Sequence, residues 1–225
     1  ESVPHLIKLL NDENKETVIT AAFCLGQIKD TRATIPLLKK LENSEDIHIK
    51  GAVIIGLGHL GDKNAVPFLK KELNKNDKLI LQLQTAIALG LLDNKDGLSI
   101  ALENCSNKNF EIKDNAIYAL GVIGDVSAKQ KLEEMLSNPE EKDKYKIILS
   151  LKKIEFKNIS EEKKVLFLAE CLKSEELRIK DWSVKELAKI GNPEAVNELK
   201  NAINDQEIRF QIKHELRKLK KTSFK

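Results

Sequence analysis

The sequence is short of the residues that make tight turns and aromatic cores. Its 225 residues include five prolines, ten glycines and ten aromatics, with a single tryptophan and a single methionine. A β-sandwich needs proline and glycine for its many turns, so this composition argues against one. With so few rings the core must be aliphatic, and leucine and isoleucine together supply 55 residues. No run approaches the roughly 18 consecutive apolar residues that a membrane-spanning helix requires. The three cysteines are odd in number and contain no C-x-x-C pair, so they supply neither a disulfide framework nor a zinc-type spacing.

Charge is balanced overall, at net +3, but not along the chain. Residues 1–125 carry 15 basic against 17 acidic side chains, and residues 126–225 carry 23 against 18. The excess sits at the end, where Lys213, Arg217, Lys218, Lys220, Lys221 and Lys225 face Glu215 alone. Without that tail the body has a net charge of −2. That is not the footprint of a globally basic nucleic-acid binder.

What the sequence does contain is a repeat. Stacked on a Leu-Gly pair, it aligns Leu25-Gly26, Leu57-Gly58, Leu89-Gly90 and Leu120-Gly121, at spacings of 32, 32 and 31. Weaker copies follow at Leu151-Lys152, Leu187-Ala188 and Leu216-Arg217, giving seven units. Each unit reads as two helices. The first carries apolar residues at helical spacing and places Pro4, Pro36 or Pro67 in its first turn, where a missing N–H costs nothing. Asp30 and Asp62 stand before it as capping residues. Fourteen residues before the second member of each pair stand Asp12, Ser44, Asn76, Asn107, Asn138 and Ser174, small polar residues suited to the turn between the helices. The second helix runs through an Ala-rich middle to the Leu-Gly pair and stops at Gly61, Gly124 or Gly191.

A hairpin of about 32 residues cannot bury its apolar face alone, so neighbouring hairpins must stack into one core. The expected fold is all-α, an α-solenoid of about seven repeats forming one domain over residues 1–225, regular to residue 125 and divergent beyond it. The pattern A-(V/I)-P-x-L, a polar turn, V-(K/R), then A-A-x-A-L-G-x-I-G-D resembles the short HEAT-like repeat associated with phycobiliprotein lyases. It is carried by Ala33 to Leu38 with Ile49-Lys50, and by Ala65 to Leu69 with Ala86 to Gly90. Unit one begins as an interior repeat does, which predicts a native chain extending upstream of Glu1.

Numbering from the glycine of each pair as zero, positions −9, −5, −2 and +2 form the expected core stripe, and −7, −3 and 0 the opposite face. Yet the −3 column is apolar, with Phe23, Ile55, Ile87, Tyr118 and Leu149, and the −7 column adds Ile19, Leu83, Tyr145 and Phe210. Two readings follow: a seam buried between consecutive second helices, or an exposed apolar groove. In the second, the candidate partner-binding residues on the concave face are Phe23, Ile55, Leu83, Ile87, Tyr118, Tyr145 and Leu149. The in-register glycines Gly26, Gly58, Gly90 and Gly121 each cost a helix about 1 kcal/mol relative to alanine. Close approach by a neighbouring helix or by a ligand would account for them. The −8 column, with Lys50, Gln82, Lys113, Lys144, Lys180 and Arg209, is read as structural, bonding to the turns between helices.

Chemistry finds little support. No histidine has a second histidine three or four residues away, so no helix carries a His pair suited to zinc, and no Walker loop or G-x-S-x-G occurs. Deoxyhypusine hydroxylase, a HEAT-like enzyme, holds iron with repeated His-Glu dipeptides, whereas here the dipeptide occurs once, at His214-Glu215. Asp181-Trp182 resembles part of a HEAT-like DNA glycosylase pocket, but Trp182 is read as packing. Cys24, Cys105 and Cys171 fall at buried positions too far apart for a disulfide, which suits the cytoplasm. The expected function is a non-catalytic, monomeric scaffold for a protein or peptide partner, without cofactor, metal or nucleic acid. The alternatives are a lyase-like subunit handling a tetrapyrrole, which the family resemblance implies, and a nucleic-acid-binding HEAT protein.

Overall fold

The structure, a computed structural model, describes residues 2–75, 78–138 and 144–222. Fourteen α-helices and no strand occur among the described residues. They pair into the seven expected hairpins: α1 (Ser2–Leu9) with α2 (Lys15–Ile28), α3 (Thr34–Asn43) with α4 (Ile47–Leu60), α5 (Val66–Lys75) with α6 (Leu79–Leu91), and α7 (Leu98–Asn104) with α8 (Phe110–Ile123). The divergent repeats are α9 (Ala128–Leu136) with α10 (Lys144–Asn158), α11 (Glu161–Cys171) with α12 (Leu177–Ile190), and α13 (Pro193–Asn201) with α14 (Arg209–Thr222). The chain forms two compact units, residues 1–154 and 155–225.

Many of the turns are built from side-chain caps at fixed register. Four residues after the zero position, Asp30, Asp62, Asn94, Asp125 and Asn192 accept hydrogen bonds from the backbone N–H of Arg32, Asn64, Asp96, Ser127 and Ala195, at 2.8–3.0 Å. Twelve residues before it, Asn14, Asp46 and Asn109 do the same for the second helices α2, α4 and α8. Each such bond satisfies a donor the helix leaves open and contributes on the order of 1 kcal/mol. At −14, Asp12, Asn107 and Ser174 accept from the backbone two residues on, as expected. Asn76 lies outside the described residues.

One backbone position repeats with the caps. At +3 the chain enters the left-handed region at Gly61, Gly124 and Gly191, but also at Lys29 and Asp93, both with φ of 59°. A Cβ there is strained by contact with the carbonyl that follows. Lys29→Gly, at an exposed position, should therefore stabilise the protein by about 0.5–1 kcal/mol, read as a higher urea midpoint at unchanged slope; an unchanged or lower midpoint would show that Lys29 makes a compensating bond.

In residues 1–154 the second helices stack side by side, α2 on α4, α4 on α6 and α6 on α8, each backed by its own first helix. The −5 column is buried in all seven repeats, as Ala21, Val53, Thr85, Ala116, Ile147, Ser183 and Ile212. At −1, Leu25, Leu57, Leu89, Leu120 and Leu187 are fully enclosed. In residues 155–225, α12 packs on α11, α13 and α14 around Leu168, Val184, Leu187, Leu199 and Ile212.

Candidate interaction face

Helices α4 and α6 are buried on three sides, by their first helix and by the second helix before and after. The glycines define the lateral contacts. A Cβ on Gly26 would stand 2.6 Å from the carbonyl oxygen of Gly56, and one on Gly56 would stand 2.7 Å from that of Ala22. A Cβ on Gly58 would lie 2.7 Å from Ala88 Cα, and one on Gly121 2.9 Å from Ser150 Cα. Close approach by the neighbouring helix therefore accounts for the glycine register. In unit five Ser150, at −2, fits against Gly121 of the preceding second helix and donates its hydroxyl to the Ile117 carbonyl at 2.9 Å.

This geometry corrects the expected phase. Position 0 looks toward the following helix and −2 toward the preceding one, while −5 and −1 look inward. The remaining side is an arc formed by −10, −6, −3 and +1, which fall within about 60° of one another at 100° per residue. Of the expected site residues, Phe23 is 42% exposed and Tyr118 40%, both on this arc. Ile55, Tyr145 and Leu149 are half-buried. Leu83 and Ile87 are 0% and 3% exposed, sealed with Ala116, Ile117 and Ile55 between the stacked helices, and so leave the candidate surface. The −7 and −3 columns mix a lateral seam with an exposed edge. Sequence reading passed over the −6 and +1 members of the arc, among them Thr20, Gln27, His59 and Gln84, because they are polar and break no pattern.

The C-terminal end of this arc carries paired rings and ammonium groups. Lys153 Nζ stands 4.4 Å from the Tyr118 ring centroid. Lys146 Nζ stands 4.3 Å from the centroid of Phe110, 5.6 Å from that of Tyr145 and 2.5 Å from the Asp114 carboxylate. Desolvation pushes the Tyr118 phenol above its usual pKa.

The −8 ladder is structural where its bonds are visible. Lys180 reaches Asp205 at 2.8 Å and Glu207 at 2.6 Å in the next turn, and the Gln82 amide donates to the Leu73 carbonyl. Further ion pairs cross consecutive repeats at the turns: Lys15 with Asp46, Lys63 with Asp93, Lys70 with Asp96, and Lys95 with Asp125. The capping carboxylates are held acidic. Asp125 is lowered to about 2, first by Lys95 and then by the Ser127 N–H, and Asp30 to about 2 by Arg32. Asp46, Asp62 and Asp205 are lowered by Lys15, Thr34 and Lys180 respectively. A depressed carboxylate pKa gives stability that is present above the unfolded value near 4 and lost as pH falls through the folded one. The urea midpoint should thus be flat from pH 7 to about 5 and fall between about pH 4 and 2. In Asp125→Asn, which keeps a cap acceptor, the fall should be shallower; a midpoint that drops already between pH 7 and 5 would assign the acid sensitivity to other groups.

Trp182 packs edge-on against Phe156 at 5.5 Å, with Phe167 beside it, on the core of residues 155–225. No group of three or more metal-ligating side chains occurs among the described residues. Cys105 and Cys171 are buried and Cys24 half-buried, and burial pushes the Cys105 thiol up. No helix among the described residues is long and apolar enough to cross a membrane.

The hairpin register and the stacked second helices define a class, and sequence comparison agrees with it: HEAT repeats match over residues 3–83 and 71–152, and the chain belongs to that family. No curated protein matches by sequence. Among solved structures the chain is similar to the complex of CpcE and CpcF of phycocyanin lyase from Nostoc sp. PCC7120. The TM-score is 0.57 at 19% identity, covering 96% of this chain and 94% of that one. It also matches human deoxyhypusine hydroxylase, with a TM-score of 0.41 at 17% identity over 97% of this chain and 84% of that one. The protein is a HEAT-repeat scaffold.

Proposed function

We propose that this scaffold is non-catalytic and binds a protein or peptide partner along the exposed arc of its second helices. The supporting observation is that two of the exposed aromatics, Phe23 and Tyr118, lie on one arc of a stacked helical layer, with half-buried Ile55, buried Ile87 and the polar side chains of Gln27, His59 and Gln84 between them. Rings beside adaptable polar groups are the composition of interface hot spots. A protein partner is also supported by the structural likeness to a chain that occurs in a two-protein complex. We read the protein as monomeric and cytoplasmic. We read both compact units as parts of one repeat domain, because the register of Leu187-Ala188 and Leu216-Arg217 continues that of the earlier pairs.

The test is photo-crosslinking. A benzoyl-phenylalanine at Gln27, on the arc, should capture a discrete partner in cells of the source organism, and the same group at Lys39 on α3 should not. Equal capture at both sites would remove the arc from the binding surface. A second reading, in which the chain handles an open-chain tetrapyrrole, draws on the same structural likeness. It requires a red-shifted, sharpened chromophore absorbance on mixing with biliverdin, and an unchanged spectrum would sink it.

A further inference from the structure

The outward side of α14, in residues 155–225, carries charge of one sign. Ile212 on this helix packs with Leu187 and Leu199, and half-buried Leu216 and Leu219 join the same core. On the opposite side Phe210, Lys213, His214 and Arg217 fall within about 100° of one another, and all four are exposed. Phe210, at 83%, is the most exposed large apolar side chain among the described residues.

Register shows how far this side departs from its counterparts. At −4 the six earlier repeats place Ala22, Ile54, Ala86, Ile117, Ile148 and Val184, buried or half-buried, and α14 places Lys213. At 0, where four repeats place glycine, it places Arg217. Solubility alone asks only for polarity, which mixed charges supply without an exposed ring. Arg209, Lys213 and Arg217 have no hydrogen bond, ion pair or ring contact among the described residues. The acids beside them are engaged: Glu215 with Lys218 at 3.1 Å, and Asp205 and Glu207 with Lys180. Two of the chain's four arginines stand here, in a sequence with 34 lysines. A guanidinium presents two parallel N–H donors to one carboxylate, which an ammonium cannot do.

We propose that the outward side of α14 docks an acidic segment of a partner protein, with carboxylates on Lys213 and Arg217 and an apolar side chain on Phe210. The two cations are four residues apart, about 6 Å along the helix, the separation of carboxylates one turn apart on a partner helix. Charge complementarity favours a short segment over a long or flat polyanion. The cations from Arg209 to Arg217 span about 12 Å, whereas residues 155–208 of the same compact unit carry nine basic against twelve acidic side chains. A nucleic acid or an anionic membrane extends past the cations and meets that acidic excess. This surface does not draw on the arc, so the two can fail separately.

The test selects a phage-displayed library of random 16-residue peptides on the full chain and counter-selects on the Lys213→Gln, Arg217→Gln double variant, which removes peptides that bind elsewhere. The survivors should pair Asp or Glu three or four residues apart beside an apolar residue, and synthetic copies should bind more weakly as salt rises. Arg217→Gln and Phe210→Ser should each weaken them about 10-fold at an unchanged melting temperature, and Arg217→Lys should weaken them less than Arg217→Gln. Survivors without acidic pairs, or no survivors at all, would overturn the proposal. A 20-nucleotide oligothymidine or phosphatidylserine vesicles that bind more tightly than the peptides, and are lost in the double variant, would overturn it in favour of nucleic acid or membrane.

Discussion

Gly26→Val and Gly58→Val should each cost the fold about 3 kcal/mol. The Cβ that each introduces falls 2.6–2.7 Å from backbone atoms of the neighbouring second helix, Gly56 for one and Ala88 for the other. Backbone cannot turn aside as a side chain can, so the two helices must separate and the buried −5 and −1 side chains between them must repack. The gain in helix propensity offsets less than about 1 kcal/mol of this. Gly51→Ala is the control: its Cβ would meet only the amide of Gln84, at 2.3 Å, the end of a flexible, half-buried side chain. It should change stability by less than about 1 kcal/mol. Urea unfolding followed by circular dichroism at 222 nm checks both, and in a repeat array the valine variants should also unfold less cooperatively. Equal effects at Gly26 and Gly51 would mean that the α2–α4 approach does not govern the stack.

Truncation of the exposed rings should act on binding alone. Phe23→Ala and Tyr118→Ala should each weaken the crosslinked partner by about 2 kcal/mol, roughly 30-fold. Both rings are about two-fifths exposed, so stability should change by about 1 kcal/mol at most. Ile87→Ala provides the opposite case, since Ile87 is buried between helices. It should cost about 2–4 kcal/mol of stability and leave affinity unchanged once the folded fraction is accounted for. Phe23→Ala and Tyr118→Ala variants that melt earlier yet bind normally would make the arc a packing seam.

The seven hairpins, their prolines and their inter-repeat caps were legible because each rests on local chemistry: a period near 32, a carboxylate before an open N–H, a glycine at a left-handed residue. The face was legible only in part. Periodicity reports how many sides of a helix are apolar, not which neighbour covers each. Ile87 and Phe23 therefore look alike in sequence, although α8 lies over one and solvent over the other. Leu83 was misplaced for the same reason. The arc's polar members, such as Gln27 and Gln84, leave no mark in a hydrophobic pattern, and the approach of Lys153 to Tyr118 joins residues from different repeats.

The backbone contact at Gly26 and Gly56 also has a mechanical meaning for residues 1–154. A layer of helices already in backbone contact cannot be compressed, and it resists extension because any opening exposes the close-packed −5 and −1 side chains. The first helices meet one another less closely, and their repeats are linked at the turns by exposed ion pairs such as Lys70–Asp96, which stretch and re-form at little cost. The stack thus behaves as a beam with one stiff face. It flexes by spreading or closing the first-helix layer, while the spacing along the second-helix arc stays fixed.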